Sequence, residues 1–508
     1  MFFKLDSFAL IGIEAIKVTI EVHISRGLPG LYIVGLPGQA VSESRQRVRS
    51  AVLNSGFEFP VRKIIINLSP ADIKKEGSLY DLPIALSILA ASGQINNSDL
   101  KGSCFVGELS LDGRINPVRG LISMAEKAEE LGKKYFFVPA RIAAQASMFK
   151  KIKIIPCSDL RSTVRMISDK DLKIPVNIGN KTPGAPESGK ACQDMIEVKG
   201  QFKAKRALEI AAAGMHNILL TGPPGSGKTM LASRIISILP SMELIQRIEV
   251  TRIRSLCDER IEGLISQRPF VYPHHTVSRA GLIGGGADPR PGAISLAHRG
   301  VLFLDELSQF PSGLIEDLRQ PLENREIVIT RNRHSYCFPC SFMLIAATNP
   351  CRCGYWGDSK KECRCSEREL ARFWSNLSGP ILDRIDMKVF VNRLPEGDYI
   401  NDVQGESSAA IRVRVEKTHL RQKARYRNME NIEYNSEVGQ KTINGWMKNK
   451  RLPSGTILKV GKRFELSARG MSGIIKVART IADLEGSPDI LEEHIMESVS
   501  YRRVEKFG

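Results

Sequence analysis

A chain of 508 residues is too long for a single hydrophobic core, and at ~150 residues per domain about three domains are expected. Its 73 basic and 55 acidic residues leave a net charge of +18, which favours polyanionic partners such as nucleic acid over a merely solvated basic surface. No run of about 18 apolar residues occurs, which argues against a membrane span, and the N-terminus carries charges inside its apolar stretch, unlike a signal peptide; a cytoplasmic protein is expected.

Residues 1–169 alternate strand-like runs (Ile16–Val22, Lys63–Leu68, Tyr135–Val138) with helical stretches at Ser42–Asn54 and Leu82–Ser92, an α+β or α/β pattern. The run Lys74–Leu86 (KKEGSLYDLPIAL), followed by Gly107–Leu121 (GELSLDGRINPVRGL) and Lys133–Pro139 (KKYFFVP), resembles the proteolytic domain of Lon-type proteases. That family uses a serine–lysine dyad, in which lysine lowers the cost of removing the hydroxyl proton. Here the serine position falls near Tyr80 and the lysine position near Ile122, so the resemblance implies a scaffold without proteolytic chemistry. Ser78 lies close by, but without the matching lysine. Residues 170–195 are rich in Pro, Gly, Lys and Ser, lack apolar periodicity, and read as an interdomain linker.

A second domain is expected over 196–395. After an Ala-rich helix at Ala204–Ala213, the strand-like run Asn217–Leu220 leads to Gly222, Pro223, Pro224, Gly225, Ser226, Gly227, Lys228 and Thr229, which fit the pattern G-x-x-x-x-G-K-[ST]. Met230–Leu239 then reads as a helix. Such a strand–loop–helix turns backbone N–H groups and a helix N-terminus toward phosphate. Lys228 is the residue to reach the β/γ-phosphates and Thr229 to offer its hydroxyl to Mg²⁺, so ATP and Mg²⁺ are the expected cofactors.

Further along, Gly300–Leu304 is an apolar strand ending in two carboxylates, the arrangement called Walker B. Asp305 is expected to hold Mg²⁺ and Glu306 to polarise the attacking water. A third strand, Ser341–Ala347, ends at Asn349, whose side chain could orient water near a γ-phosphate. Arg384 lies in Leu382–Asp386 (LDRID), just before the strand Met387–Val391, with a bond to Asp383 or Asp386 as its alternative use.

Together with Ser467–Gly470 (SARG), these motifs fit the AAA+ ATPases. Tyr272–His275 (YPHH) and Gly281–Leu307 (GLIGGGADPRPGAISLAHRGVLFLDEL) closely resemble the magnesium-chelatase-like ComM/YifB group, a likeness that covers nearly the whole chain. The resemblance implies a ring, with a hexamer as the family expectation. It implies that Arg384 is a trans-acting arginine finger, that Arg469 is the sensor arginine of a helical lid, and that Gly284–Gly286 lie in a loop toward the pore. An arginine delivered by a neighbouring subunit stabilises transition-state charge and couples hydrolysis to the ring. For Gly284–Gly286 a surface hairpin is the alternative.

Of ten cysteines, six lie between Cys337 and Cys365, which suits metal or packing roles better than a disulfide framework. Cys351, Cys353, Cys363 and Cys365 form a C-x-C, C-x-C set directly after Asn349, and four thiolates can hold a structural Zn²⁺ tetrahedrally. The spacing is tighter than the usual zinc spacer, so reduced thiols remain the alternative. Cys337 and Cys340 have the better C-x-x-C spacing and read either as an alternative ligand pair or as core packing. His274 and His275, in a Pro-flanked segment without a neighbouring carboxylate, read as structural or polar-contact residues and not as metal ligands.

Residues 396–508 begin as a polar connector and continue as helices. Ser408–Arg427 sets Arg414, Lys417, Arg421 and Arg425 on one basic face, read as solvated, with nucleic acid as the alternative partner. Ser472–Leu484 repeats Ile474, Ala478 and Ile481 at helical spacing behind Arg469, and Ser487-Pro488 is expected to start the final helix. These helices read as a lid packed beside the nucleotide. The sequence therefore predicts an α/β protein: a Lon-protease-like α+β domain, an AAA+ parallel-sheet core and a C-terminal α-helical lid. Its resemblance to ComM-type branch-migration helicases of recombination and natural transformation implies an ATP-hydrolysing ring motor on single-stranded or branched DNA. A protein-remodelling or magnesium-chelatase-like ATPase is the alternative, against which the Lon-like domain argues.

Overall fold

The computed structural model describes residues 1–168, 194–286, 289–331, 334–377, 379–393, 405–429, 432–447, 454–464 and 466–502. Most of the expected linker at 170–195 and of the connector at 396–407 lies outside the described residues. No helix among the described residues is long and apolar enough to cross a membrane.

The first 168 residues fold around a seven-stranded mixed sheet ordered Gly30–Val34, Lys63–Ser69, Glu14–Ser25, Phe2–Ile11, Ser103–Phe105, Tyr135–Pro139, Lys153–Cys157. The long hairpin Phe2–Ile11 and Glu14–Ser25 is antiparallel, Lys63–Ser69 joins Glu14–Ser25 antiparallel, and the remaining strands join in parallel. The helix Asp81–Ala91 is buried at every residue, because its sequence DLPIALSILAA is apolar all round. Its one carboxylate, Asp81, takes bonds from Ser44, from Arg47 at 2.7 Å and from the Leu109 amide at 3.2 Å, as a buried charge requires. Tyr80 and Ile122 are both fully buried in this unit.

The following unit is built on a five-stranded parallel sheet ordered Phe270–Val271, Val301–Leu304, Met343–Thr348, Ile218–Thr221, Met387–Phe390. Side chains alternate between two cores, Ile218, Leu220, Phe303 and Ile345 on one face and Leu219, Leu302, Leu304 and Leu344 on the other. A sheet covered on both faces needs strands that are apolar throughout, as these are. Ion pairs Arg119–Glu259 at 2.6 Å and Arg141–Glu262 at 2.7 Å tie the first unit to the second.

The C-terminal helices Ser408–Tyr426, Gln440–Met447, Ser454–Arg463, Ala468–Glu485 and Glu492–Ser500 gather around a small core that includes Ile443, Ile474 and Ile495. Two boundaries differ from the sequence reading. The helix behind Arg469 starts at Ala468, capped by Ser467, so Arg469 lies in its first turn and not ahead of it. Ser487-Pro488 does not open the final helix: Arg479 bonds the carbonyls of both residues at 2.7 and 2.9 Å, holding them as a link, and the helix begins at Glu492.

The basic face of Ser408–Tyr426 is only in part the expected solvated surface, because three of its four residues are engaged in bonds within the chain. Arg414 pairs with Glu209 at 2.5 Å and with Glu406, Arg421 bonds the Asp483 carbonyl, and Arg425 pairs with Asp483. Of the four, Lys417 and Arg421 are exposed, and Arg414 and Arg425 are half-buried.

Candidate nucleotide site

Strand Ile218–Thr221 ends at the phosphate loop, and helix Lys228–Ser233 starts directly behind it. A Cβ at Gly222 would stand 2.2 Å from the Val391 carbonyl oxygen, so only glycine lets the loop pass there. Gly225 and Gly227 have φ of +78° and +89°, a conformation that disfavours other residues. No described atom lies within 4 Å of where their Cβ atoms would be, leaving an open cradle. Lys228 folds into it, donating to the Gly222 carbonyl at 2.7 Å, the Pro223 carbonyl at 3.0 Å and Asn349 Oδ1 at 3.4 Å. Burial lowers its pKa to about 8, against the opposing pull of Asp305 and Glu306.

The Walker B strand lies next but one to this strand, with Met343–Thr348 between, so its carboxylates come out beside the loop. Thr229 donates to Asp305 Oδ2 at 2.6 Å, and the Glu306 amide donates to Asp305 Oδ1 at 2.9 Å. Glu306 has φ +50°, a strained conformation of the kind that persists at functional sites. Lysine, threonine, two carboxylates and Asn349 thus converge on an open glycine cradle, a donor set that fits Mg²⁺–nucleotide. Phosphate would take the loop and Lys228, and the metal ion Thr229 and Asp305.

Two neighbours were not read from the sequence as site residues. Tyr272 donates to Asp305 Oδ2 at 3.2 Å, and His275 Nδ1 lies 3.7 Å from Glu306 Oε2, its ring against His274. The sequence reading found no carboxylate near these histidines; the pairing of Phe270–Val271 with the Walker B strand supplies one.

Arg384 and Arg469 are brought together, but away from this loop. Both bond Glu323 Oε1, at 2.5 and 2.7 Å. They line a cavity of about 480 Å³ that also includes Asn217 and Ser341, the residues just before two sheet strands, whereas the phosphate loop follows the opposite strand ends. The expectation of a lid beside the nucleotide is corrected accordingly. Helix Ser408–Tyr426 packs on Phe202–Gly214, Lys388 donates its amide to Tyr501, and His216 bridges Asp386 at 3.0 Å and Thr480 at 2.8 Å. The C-terminal helices are therefore held at the flank and amino end of the sheet. Glu323, the carboxylate that gathers the two arginines, carried no motif signal.

The thiols of Cys351, Cys353, Cys363 and Cys365 all lie within 4.8 Å of one another and could hold a metal ion. Cys337 and Cys340 do not join them: Cys337 lies against Glu326 at 3.3 Å, and Cys340 is buried in the sheet core. Gly284–Gly285 pair in antiparallel fashion with Arg290–Pro291 as a short hairpin.

A five-stranded parallel sheet with a phosphate loop at one strand end and a Walker B carboxylate pair two strands away defines an AAA+-type P-loop protein. Models of the magnesium chelatase subunit ChlI match residues 20–142 and 194–399, and a model of its C-terminal part matches 405–502. The protein YifB of Salmonella typhimurium is 42% identical over 98% of this chain and 96% of its own. The competence protein ComM of Haemophilus influenzae is 41% identical over the same shares. The magnesium-chelatase 67 kDa subunit of Chlorobaculum parvum is 26% identical over 30% of this chain and 23% of its own. The chain belongs to the magnesium-chelatase-like AAA+ ATPases of the ComM/YifB family.

Proposed function

We propose that this chain hydrolyses ATP and uses the energy, as a hexameric ring, to move DNA strands at single-stranded or branched sites. The convergence of Lys228, Thr229, Asp305, Glu306 and Asn349 on one open cradle carries the ATPase part. Mg²⁺, when bound, offsets phosphate charge and orients the reacting group. Glu306, exposed and adjacent to the Asp305 that meets Thr229, is the residue to hold and deprotonate the attacking water. Asn349, already bonded to Lys228, orients that water. Arg384 and Arg469 stand at the far end of the strands, so in this reading they act on the nucleotide of an adjoining subunit, released from Glu323 when it docks.

DNA as substrate is supported by the net charge of +18 and by full-length similarity to a competence protein. The cofactors in this reading are ATP, Mg²⁺ and a structural Zn²⁺ at the four clustered cysteines, and the place of action is the cytoplasm. Magnesium-chelatase-like remodelling of a protein partner is the second reading, favoured by the chelatase models that match three segments. ATPase measurements with single-stranded, duplex and branched DNA separate the two. Strong stimulation by DNA supports the motor, and stimulation only by a protein partner supports remodelling.

A further inference from the structure

The central strand Met343–Thr348 delivers Asn349 to the nucleotide site, and two residues later the chain enters Cys351. From there to Ser366 it has no helix or strand, an unusual length for a loop packed into a domain. Something other than backbone pairing must close it. Gly357 lies against the Phe390 ring, and Trp374 donates a hydrogen bond to the Pro350 carbonyl at 3.1 Å.

At the centre of the loop stand the four cysteines. Sulfur–sulfur distances are 3.3 Å for Cys351–Cys353, 3.7 Å for Cys351–Cys363 and 3.5 Å for Cys353–Cys363. A disulfide would need ~2.05 Å, whereas four sulfurs ~2.3 Å from a central zinc ion stand ~3.8 Å apart along each tetrahedral edge. Three of the sulfurs are therefore spaced near the edges of a metal shell, and Cys365 lies within 4.8 Å of each of them. The amides of Trp356 and Cys365 donate to the sulfurs of Cys351 and Cys363 at 3.4 Å, the outer bonds that orient thiolate ligands. Cys351 is buried and the other three are partly covered, which gives a closed site with no open coordination position.

The loop also touches the nucleotide site directly. Gly354, between the two halves of the quartet, has φ +86°, and a Cβ there would lie 3.1 Å from the Pro224 ring and 4.0 Å from the Asn349 side chain. The loop backbone is thus seated on the phosphate loop. On the other side Asp358 pairs with Arg393 at 3.0 Å, fixing the loop to the segment that follows strand Met387–Phe390.

We propose that Cys351, Cys353, Cys363 and Cys365 bind one Zn²⁺ and that this centre is a wall of the nucleotide site. By clamping the loop, the metal holds Gly354 on Pro224 and fixes the direction in which Asn349 meets Lys228, so its presence sets nucleotide affinity. The second half of this inference rests on the ATPase reading above; the first does not.

The test uses the full chain, purified under reducing conditions without chelator. Elemental analysis should give about one Zn²⁺ per chain, and cobalt exchanged into the site should show the visible absorption of tetrahedral thiolate coordination. Changing Cys353→Ser and Cys363→Ser together should remove the metal and weaken binding of a fluorescent ATP analogue by about tenfold or more. Because that variant could misfold, Gly354→Ala is the second probe. It should keep the zinc and the cobalt spectrum yet lose nucleotide affinity, since the added methyl pushes on Pro224. A protein with no zinc and no cobalt spectrum overturns the metal centre. Zinc present with unchanged nucleotide affinity in Gly354→Ala and in the double variant overturns the coupling. A zinc-loaded wild type that binds no nucleotide overturns the ATPase reading and the coupling with it, and leaves the metal centre standing.

Discussion

Thr229 donates its hydroxyl to the Asp305 carboxylate at 2.6 Å, joining the residue that ends the phosphate loop to the residue that ends the Walker B strand. Seventy-six residues separate the two in sequence, the contact holds Asp305 where in the proposed function it would meet Mg²⁺, and Glu306, the next residue, is exposed. The two carboxylates should therefore fail differently from the lysine. Lys228→Ala removes the charge that meets phosphate and should abolish nucleotide binding. Glu306→Gln should keep binding and lower turnover by ~10²–10⁴-fold, the range expected when a general base is lost. Equilibrium binding of a fluorescent nucleotide and steady-state phosphate release distinguish these outcomes, and normal turnover in Glu306→Gln would remove the role given to that residue.

The lowered pKa of Lys228 gives nucleotide binding a pH dependence of fixed sign. Burial brings the free site to about 8, and bound phosphate charge favours the protonated form, so binding takes up a proton where the free lysine is neutral. Affinity should be flat below pH 7 and fall as pH rises through 8, by ~8-fold between pH 7.5 and 9 if the bound lysine stays protonated throughout. Titrating affinity against pH checks this, and Lys228→Arg should flatten the profile over that range. An affinity that rises with pH would contradict the geometry.

The phosphate loop and the Walker B strand were legible because each is a local pattern whose residues act within a few positions of one another. Tyr272, His275 and Glu323 were not, because each reaches the site or its arginines through strand order or helix packing that no short motif records. The helix Ser408–Tyr426 shows the limit plainly. Its periodicity revealed a basic face, but Glu209, the partner of Arg414, lies 205 residues away, and charge spacing alone cannot tell an internal ion-pair face from a solvated one. The sequence likewise set Arg469 just ahead of a helix that in fact includes it, with no sign that the helix packs at the amino ends of the strands.

The ion-paired part of that face has a stability consequence. Asp483 is buried, at 2% side-chain exposure, and is bonded by Arg425 at 2.7 Å and by Arg479 at 2.9 Å. Arg425→Ala leaves a buried carboxylate with less compensation and should cost about 2 kcal/mol, less than the full loss of a partner because Arg479 remains. Urea unfolding measures it. Changing Arg414 and Arg421 together should lower stability in the same way with little change in the salt dependence of DNA binding, since Arg414 is neutralised by Glu209 and Glu406 and Arg421 is held on the Asp483 carbonyl.

Arg384 and Arg469 share Glu323 within one chain and stand apart from that chain's own phosphate loop. If they complete a neighbour's site, subunits with Arg384→Ala and subunits with Lys228→Ala should each be inactive alone and regain ATPase activity when mixed under conditions of subunit exchange. Some mixed interfaces then pair an intact loop with an intact arginine. Mixtures that assemble but stay inactive would remove the trans role, and a fully active Arg384→Ala protein would do so directly.

The substrate is the last point to test, and charge alone cannot settle it. A ring multiplies the +18 of each chain, so DNA binding should be tight at low salt and weaken steeply as salt rises and condensed counterions are no longer released at a gain. Adventitious adhesion would show the same slope. A motor must also do work: with ATP and Mg²⁺ the protein should drive strand exchange or unwinding at a labelled fork or four-way junction. The Glu306→Gln variant should bind the same DNA without moving it, because its defect lies in hydrolysis and not in contact. DNA should raise ATP turnover in the wild type, and branched DNA should do so more than duplex. A wild-type protein that hydrolyses ATP but moves no junction or fork, and whose turnover responds only to a protein partner, would replace the DNA motor with the remodelling reading, however tightly it bound DNA at low salt.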